Sequence, residues 1–213
     1  WYDQGDVRFH PDNIIMDSRE GCFLFIISHQ TGKIVWQLGP DYTSTKEARI
    51  IGPIIGPHGT HMVPSGMPGE GNILIFDNGG WGGYGAPGQT SKIGLKTMHR
   101  DSTRILEINP TTMKIVWQFD AKTLGFPQLF AQHYFYSPLI SNAQRLPNGN
   151  TLIDMGCDGE ILEVTAQGEV VWSYVSPYVT NSTPGHLYRC YRIPYDWVPQ
   201  LTKPEEIAMR RVE

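Results

Sequence analysis

The sequence has no long apolar run and no excess of positive charge. No segment approaches the roughly 18 consecutive apolar residues that a membrane-spanning helix needs, so we expect no membrane span. The formal net charge is −4 and charged residues make up only 18 % of the chain, whereas a nucleic-acid-binding surface would show a basic excess. The composition therefore argues against nucleic acid and the interior of a bilayer as partners.

Cysteine is also scarce. Cys22, Cys157 and Cys190 are widely spaced and form no C-x-x-C pair. Three separate buried thiols are the favoured interpretation, and a single disulfide is the alternative. The opening residues, "WYDQGDVRF", contain no initiator Met, no basic segment and no apolar segment. They indicate either that a signal peptide has been removed or that this is an internal piece of a longer protein.

Glycine and proline, by contrast, are abundant. The chain has 23 glycines and 16 prolines, a density that is typical of many short strands joined by turns. Helical periodicity is hard to find before the tail at residues 204–211. With 213 residues the chain is long enough to bury a core. We therefore predict an all-β fold.

A repeat organises these strands. Three segments contain a tryptophan-bearing strand: "TGKIVWQLG" (31–39), "TTMKIVWQF" (111–119) and "QGEVVWSY" (167–174). The last two follow "RILEI" and "EILEV", which in turn follow "GNILIFDN" and "GNTLIDMG", and these are preceded by "HGTHMVP" and "NAQRLP". Four antiparallel strands per repeat form the blade of a β-propeller. We expect Trp36, Trp117 and Trp172 to pack between blades and to touch no substrate.

The second repeat contains an insertion. The Gly-Asn turns begin at positions 71 and 149, which are 78 residues apart, whereas Ile105 and Ile161 of the third strands are only 56 apart. About 22 extra residues therefore lie in a Gly-rich stretch, which is either a functional lid or a flexible connection. Trp81 within it is a candidate for covering a substrate or contacting a partner, as is Tyr84. The run "GGWGGYG" has neither the Lys nor the following helix of a phosphate-binding loop.

The repeats are incomplete at both ends. The first lacks an inner strand before "DNIIMDS", and "HLYRCYRIP" looks like an inner strand with no blade after it. We predict a partial propeller over residues 1–200 and a C-terminal tail over 201–213. The propeller part comprises blade remnants at about 6–39, 56–120 and 137–176 and a lone inner strand at 186–194. Because open end blades expose strand edges and apolar faces, we expect a second protein chain to supply the remaining blades.

The combined segments resemble the bacterial arylsulfotransferase family. The resemblance rests on "SREGCFLFIISHQTGKIVWQLGP", "GTHMVPSGMPGEGNILIFDNGG", "SNAQRLPNGNTLIDMGCDGEILEVTAQGEVVWSYVSPY" and the closing "YRIPYDWVPQL". It covers about residues 6–200, and the order of the segments fits the C-terminal half of the family. It implies about three four-stranded blades of a six-bladed propeller and a periplasmic or secreted location. It also implies transfer of a sulfuryl group between phenolic compounds through a sulfated histidine, without a cofactor.

Inner strands line a propeller channel, so histidines at their starts are the candidate nucleophiles. His58 and His61 hold this place in the second repeat, and His133 lies on the approach to the inner strand of the third. Neutral imidazole serves both as a nucleophile and as a leaving group, and the developing oxyanion charges need cations or N–H donors. We therefore predict His58, His61 and His133 as catalytic residues. The candidate substrate-binding residues are Arg145, Arg189, Trp81 and Tyr84.

Two other functions stay open, because the channel arginine of the family follows the equivalent of His58 by a short interval and residues 62–99 contain no arginine. Neutral imidazoles also suit Zn, Cu, Fe or Ni. His58, His61 and His133 would then ligate a transition metal in an oxidoreductase, hydrolase or lyase that acts on a small aromatic molecule. The third hypothesis is a non-catalytic propeller subunit that displays its loops to a partner.

Overall fold

The computed structural model describes residues 5–87, 96–179, 185–200, 202, 203 and 205, and most of the predicted C-terminal tail lies outside them. Its strands are β1 (Ile14–Ser18), β2 (Phe23–Ile27), β3 (Ile34–Leu38), β4 (His58–Met62), β5 (Ile73–Asp77), β6 (Gly80–Pro87), β7 (Lys96–Arg100), β8 (Arg104–Asn109), β9 (Lys114–Asp120), β10 (Asn142–Arg145), β11 (Thr151–Met155), β12 (Glu160–Val164) and β13 (Val170–Val175). The α-helix is α1 (Lys46–Ile51), and short 3-10 segments lie at Val7–Phe9, Gln128–His133 and Tyr195–Trp197. No helix in the described part is long and apolar enough to cross a membrane.

The strands form antiparallel sheets that reproduce the repeat. The first sheet has the order β1-β2-β3, the second β4-β5-β8-β9 and the third β10-β11-β12-β13. Strands β6 and β7 form a separate hairpin, inserted between β5 and β8. The segments "RILEI" and "EILEV" lie in β8 and β12, as the repeat predicts. The all-β fold class is confirmed.

The second sheet is buried on both faces because it lies between the other two. Every residue of β5 is buried, and alternate side chains point to opposite faces of a strand. Ile73 and Ile75 pack in a core shared with the first sheet, including Leu24 and Ile26. Phe76 packs in a second core shared with the third sheet. Face-to-face stacking explains why this strand reads as a continuous apolar run.

The inner edges of successive sheets meet. Strand β4 contacts β1 and β10, and β10 also contacts β5. Gly59 of β4 lies so close to β10 that a Cβ atom on it would come within 2.8 Å of the Cβ of Asn142. The backbone amide of Thr60 donates to Asp17 at the end of β1, at 3.0 Å. The first strands of the second and third sheets therefore lie side by side, as the inner strands of propeller blades do.

Trp36 and Trp117 pack between sheets as expected, whereas Trp172 has no following sheet among the described residues. Trp36 donates its indole N–H to Pro110 O, and Trp117 donates to Ala166 O. In both pairs the acceptor lies in the turn between the third and fourth strands of the next sheet. Trp172 holds the equivalent place in the third sheet and is 39 % exposed.

The segment at 186–194 runs along β10. The side-chain amide of Asn142 donates to Cys190 O and accepts from Cys190 N, and that of Gln144 makes the same pair of bonds with Arg192. The ion pair of Arg145 with Glu107 is repeated one sheet further on by Arg192 and Glu163. The segment therefore follows the third sheet as β10 follows the second. Residues 186–194 themselves are not assigned to a strand. The division into blade remnants remains a prediction.

Helix α1 was not predicted, because it is only six residues long and gives no detectable periodicity. Its signals are at its ends. The side chain of Thr45 accepts a hydrogen bond from Ala48 N, which satisfies a free amide of the first turn. Gly52 follows the last residue with a φ of 68°, a conformation that glycine adopts without strain. The helix buries Ala48 and Ile51 in the core of the first and second sheets.

Cys22, Cys157 and Cys190 form no disulfide with one another, so the alternative of one disulfide is wrong. The favoured interpretation of three separate thiols is confirmed, but only Cys22 is buried, and Cys157 and Cys190 are partly buried.

Candidate functional site

His58 is the first residue of β4, and its ring is held in one orientation. Its Nδ1 lies 2.7 Å from Asn78 Oδ1 and 3.1 Å from Gly56 O. The amide nitrogen of Asn78 donates to the carbonyls of Ser137 and Ile140, which turns its oxygen towards His58. Both neighbours of Nδ1 are thus acceptors, so Nδ1 carries the proton. In neutral His58 the lone pair is therefore on Nε2, the atom that a nucleophilic imidazole uses.

His61 lies three residues further along β4, beyond a β-bulge. Its Nδ1 lies 2.8 Å from Gly59 O and must donate to it, which again leaves the lone pair on Nε2. Burial lowers the pKa of His61; the bond to Gly59 acts against this, and the positive charge of Arg189 lowers the pKa further. Both burial and the charge of Arg189 therefore favour the neutral form of His61.

Arg19 approaches the His58 region from the first sheet. It follows β1 directly, and a Cβ atom on Gly56, the residue whose carbonyl binds His58, would lie 3.8 Å from Arg19 Cγ. The guanidinium contacts Glu20 through Nη1, whereas the buried Nε and Nη2 have no hydrogen-bond partner among the described residues. Buried donors without acceptors are costly, so an acceptor that reached these two N–H groups would be stabilised there. The hydroxyl of Thr60, on β4, is likewise buried without a partner in this part of the chain.

The inserted Gly-rich stretch forms the β6–β7 hairpin beside these residues. Trp81 lies over the guanidinium of Arg19, with 4.8 Å between Arg19 Cζ and the ring centroid, and is 44 % exposed. Its carbonyl oxygen would lie 3.3 Å from a Cβ atom on Gly56. The hairpin therefore brings an accessible aromatic side chain to the edge of the His58 region. Tyr84 lies in β6, and its side chain is outside the described residues.

The remaining predicted site residues are divided. Arg189 is exposed and lies near His61, whose pKa it lowers. Arg145 is buried between the second and third sheets, where its guanidinium binds Glu107 and Gly149 O and lies over Trp117. His133 is an exposed residue at the end of a 3-10 segment. The structure therefore groups His58, Arg19 and Trp81, and separately His61 and Arg189.

The described residues do not fit the metal-site hypothesis. They contain no group of three or more His, Cys, Asp or Glu side chains that could hold a metal ion. His58, His61 and His133 are therefore not gathered as a ligand set, and the Nδ1 atoms of His58 and His61 are already hydrogen-bonded to protein oxygens. We derive no step through a metal.

Sequence reasoning missed two residues of this site. Asn78 ends a strand, where an asparagine reads as an ordinary turn residue, and nothing in the sequence pairs it with His58. Arg19 lies 39 positions before His58, and only the contact between the first and second sheets brings the two regions together. The repeat contained the available signal, because Arg19 and Asn78 follow equivalent second strands.

Comparison with known proteins gives a family. The family model described as Arylsulfotransferase (ASST) matches residues 6–177. Among curated proteins none matches the chain significantly. Similar solved structures include a protein of unknown function from Bacteroides caccae, with 14 % identity over 76 % of this chain and 57 % of that one and a TM-score of 0.32. They also include the quinohemoprotein alcohol dehydrogenase from Comamonas testosteroni, with 15 % identity over 83 % and 29 % and a TM-score of 0.40. The chain thus spans less than two thirds of either structure, and neither likeness bears on its function.

Proposed function

Because this chain belongs to the arylsulfotransferase family, we propose that it carries the nucleophile of a sulfuryl-transfer site, with His58 Nε2 as the attacking atom. The orientation of His58 is the observation that supports this most directly. Its protonated Nδ1 faces two fixed oxygens, so the opposite nitrogen is free to attack. Hydrogen bonds made by the ring nitrogen that does not react fix both the tautomer and the orientation of an imidazole.

The proposed reaction has two half-reactions. His58 Nε2 attacks the sulfur of an aryl sulfate; an N–S bond forms, the S–O bond to the aryl group breaks, and the bonding pair leaves with the phenolate. The oxygen of a second phenol then attacks the same sulfur while its proton passes to a base. A new O–S bond forms, and the N–S bond breaks with its electron pair returning to Nε2. Nδ1 keeps its proton throughout. Asn78 Oδ1 and Gly56 O accept from it and stabilise the positive charge that the sulfated imidazole carries.

The sulfuryl oxygens need donors, and Arg19 is the closest match. Its unpartnered Nε and Nη2 are the two donors that a planar guanidinium presents to an anion side by side. Trp81, above Arg19, offers a face for the aromatic ring of the substrate. Arg189, whose positive charge acts on His61, is the candidate for a second cation. This assignment leaves Arg145 out, since its guanidinium is bound within the sheet interface.

The test is a rapid-mixing experiment with 4-nitrophenyl sulfate, on the assembly in which this chain occurs. We expect a burst of 4-nitrophenol and a protein mass increased by one SO₃ group, located on the peptide that contains His58. His58→Ala should abolish both, and His29→Ala, an exposed histidine in a turn, should leave both unchanged. Sulfation at His61 or His133 with His58 unmodified would contradict the proposal.

We also propose that further blades, supplied by a second protein chain, cover the open faces. The outer strand of the third sheet exposes Val171, Trp172 and Val175, and Trp172 has the position from which Trp36 and Trp117 donate to a following sheet. The first sheet exposes Ile14 and Met16. A permanent complex on such faces buries more than ~2,000 Å², and six blades in a periplasmic or secreted enzyme are what the family resemblance implies.

Light scattering coupled to size-exclusion chromatography tests this directly. We expect the chain to elute in a complex with a second polypeptide, and Trp172→Glu to release it. A folded monomer of 24.0 kDa that unfolds sharply on heating would contradict the proposal.

A further inference from the structure

A histidine–aspartate pair lies on the β6–β7 hairpin, next to the proposed site. His99 Nε2 is 3.1 Å from Asp101 Oδ1. Because Nε2 is the ring nitrogen that faces the carboxylate, Nδ1 is left to exchange a proton with a ligand. Both side chains are more than half exposed, so a ligand can reach them. This arrangement of imidazole and carboxylate resembles the acid–base pairs of transferases and hydrolases.

The pairing of β6 with β7 puts His99 on the same face of the hairpin as Trp81. Trp81 and His99 are direct cross-strand partners in the antiparallel β6–β7 pair. Directly opposed residues present their side chains on the same face, with Cβ atoms about 4.5–5.5 Å apart. The ring of Trp81 lies over Arg19, beside the residues that precede His58. His99 therefore lies next to the aromatic surface on which the substrate phenol would rest.

We propose that His99 is the general acid–base that moves the phenolic proton, and that Asp101 is the positioning residue that orients it. In the first half-reaction protonated His99 gives its Nδ1 proton to the oxygen of the departing aryl group. In the second, neutral His99 takes the proton from the hydroxyl of the acceptor phenol while that oxygen attacks the sulfur on His58. The proton that His99 takes from the acceptor phenol replaces the proton that it gave to the departing aryl group, so no other proton donor is needed. This inference rests on the proposed function of His58.

Phenols of different acidity separate this role from a structural one. The donor is 4-nitrophenyl sulfate, whose leaving phenolate needs no proton, and the acceptors are 4-cyanophenol, largely ionised at mildly alkaline pH, and 4-methylphenol, which is not. General acid–base catalysis contributes about 10²–10⁴-fold. We expect His99→Gln to leave the 4-nitrophenol burst and the rate with 4-cyanophenol near the wild-type values, and to slow 4-methylphenol by on the order of 100-fold. Asp101→Asn should show the same selectivity with a smaller loss.

His10 and Asp12 offer a matched control. They form another exposed histidine–aspartate pair, also two positions apart in the sequence, with 3.8 Å between His10 Nδ1 and Asp12 Oδ2. His10→Gln should change none of these rates. An unchanged rate with 4-methylphenol in His99→Gln would overturn the proposal, as would an equal loss with every phenol and in the burst. If the wild-type protein gives no burst and no sulfated histidine, the proposed function fails, and the role of His99 fails with it. A normal wild-type burst with an unaffected His99→Gln refutes the histidine–aspartate pair alone.

Discussion

Replacing Asp154 by asparagine should remove a pH dependence of the stability of this protein. Asp154 lies on β11 with no exposed surface, and neither carboxylate oxygen has a hydrogen-bond partner among the described residues. Burial raises the pKa of Asp154 from 3.8 to about 7, because surroundings of low dielectric disfavour the charged form. The native state therefore keeps this proton at pH values at which the unfolded chain has released it.

The sign and size of the effect follow from this difference. Where the native state holds more protons than the unfolded state, the free energy of unfolding falls as the pH rises. The contribution begins near the unfolded pKa of 3.8 and is complete above about 7. A gap of roughly three pH units corresponds to about 4 kcal/mol in all, of which about 3 kcal/mol falls between pH 5 and pH 8. In Asp154→Asn the side chain cannot ionise, and any penalty for its unpaired amide is the same at both pH values.

Urea unfolding followed by tryptophan fluorescence measures the free energy of unfolding at about pH 5 and at about pH 8. We expect the advantage of Asp154→Asn over the wild type to grow by about 3 kcal/mol between the two pH values. Asp12→Asn, at a side chain that is 74 % exposed, is the control and should show no such growth. A difference between Asp154→Asn and wild type that is the same at both pH values would refute the argument from burial.

Three other substitutions test the site and its frame. Asn78→Ala should slow the burst by roughly 10- to 100-fold without loss of secondary structure by circular dichroism, because the imidazole loses the acceptor that fixes its tautomer; an unchanged burst would contradict it. Arg19→Met should raise the KM for 4-nitrophenyl sulfate and have little effect on the temperature of thermal unfolding. A KM equal to that of the wild type would exclude Arg19 from the anion site. Gly59→Ala should lower the free energy of unfolding by about 1–3 kcal/mol, because its φ is 64° and its Cβ would meet Asn142 at 2.8 Å. Gly66→Ala, with a φ of 82° and no atom within 4 Å, is the control for backbone strain alone, and equal losses would show that the contact is unimportant.

The strands were predictable because their signals are local. Alternation, the Gly-Asn turn and the recurring tryptophan all lie within a few residues of the strand they define, so β5 and β11 could be aligned from the sequence. The burial of β5 on both faces agrees with its continuous apolar run. Helix α1 was missed because one and a half turns give no period, and its end signals at Thr45 and Gly52 resemble those of an ordinary turn.

The site was only half predictable, because it is assembled from different sheets. The position of His58 at the start of an inner strand could be deduced from the repeat. Arg19 could not, since its relation to His58 depends on the stacking of the first sheet on the second. The pairing of His99 with Trp81 depends on the register of the inserted hairpin, which the Gly-rich sequence does not specify. The predicted role of Arg145 also depends on contacts between sheets, because its guanidinium is bound to Glu107 of the second sheet.

One buried strand end connects the two proposed catalytic histidines. Asp77, the last residue of β5, has no exposed surface and binds Arg100 of β7 and Arg104 of β8 through separate oxygens, at 2.7 and 2.6 Å. Arg100 is the neighbour of His99, so this ion pair fixes the base of the hairpin to β5. The residue after Asp77 is Asn78, which orients His58. Asn78 and the base of the hairpin are therefore fixed to the same end of β5, so that the proposed nucleophile and the proposed acid–base are both positioned from the second sheet.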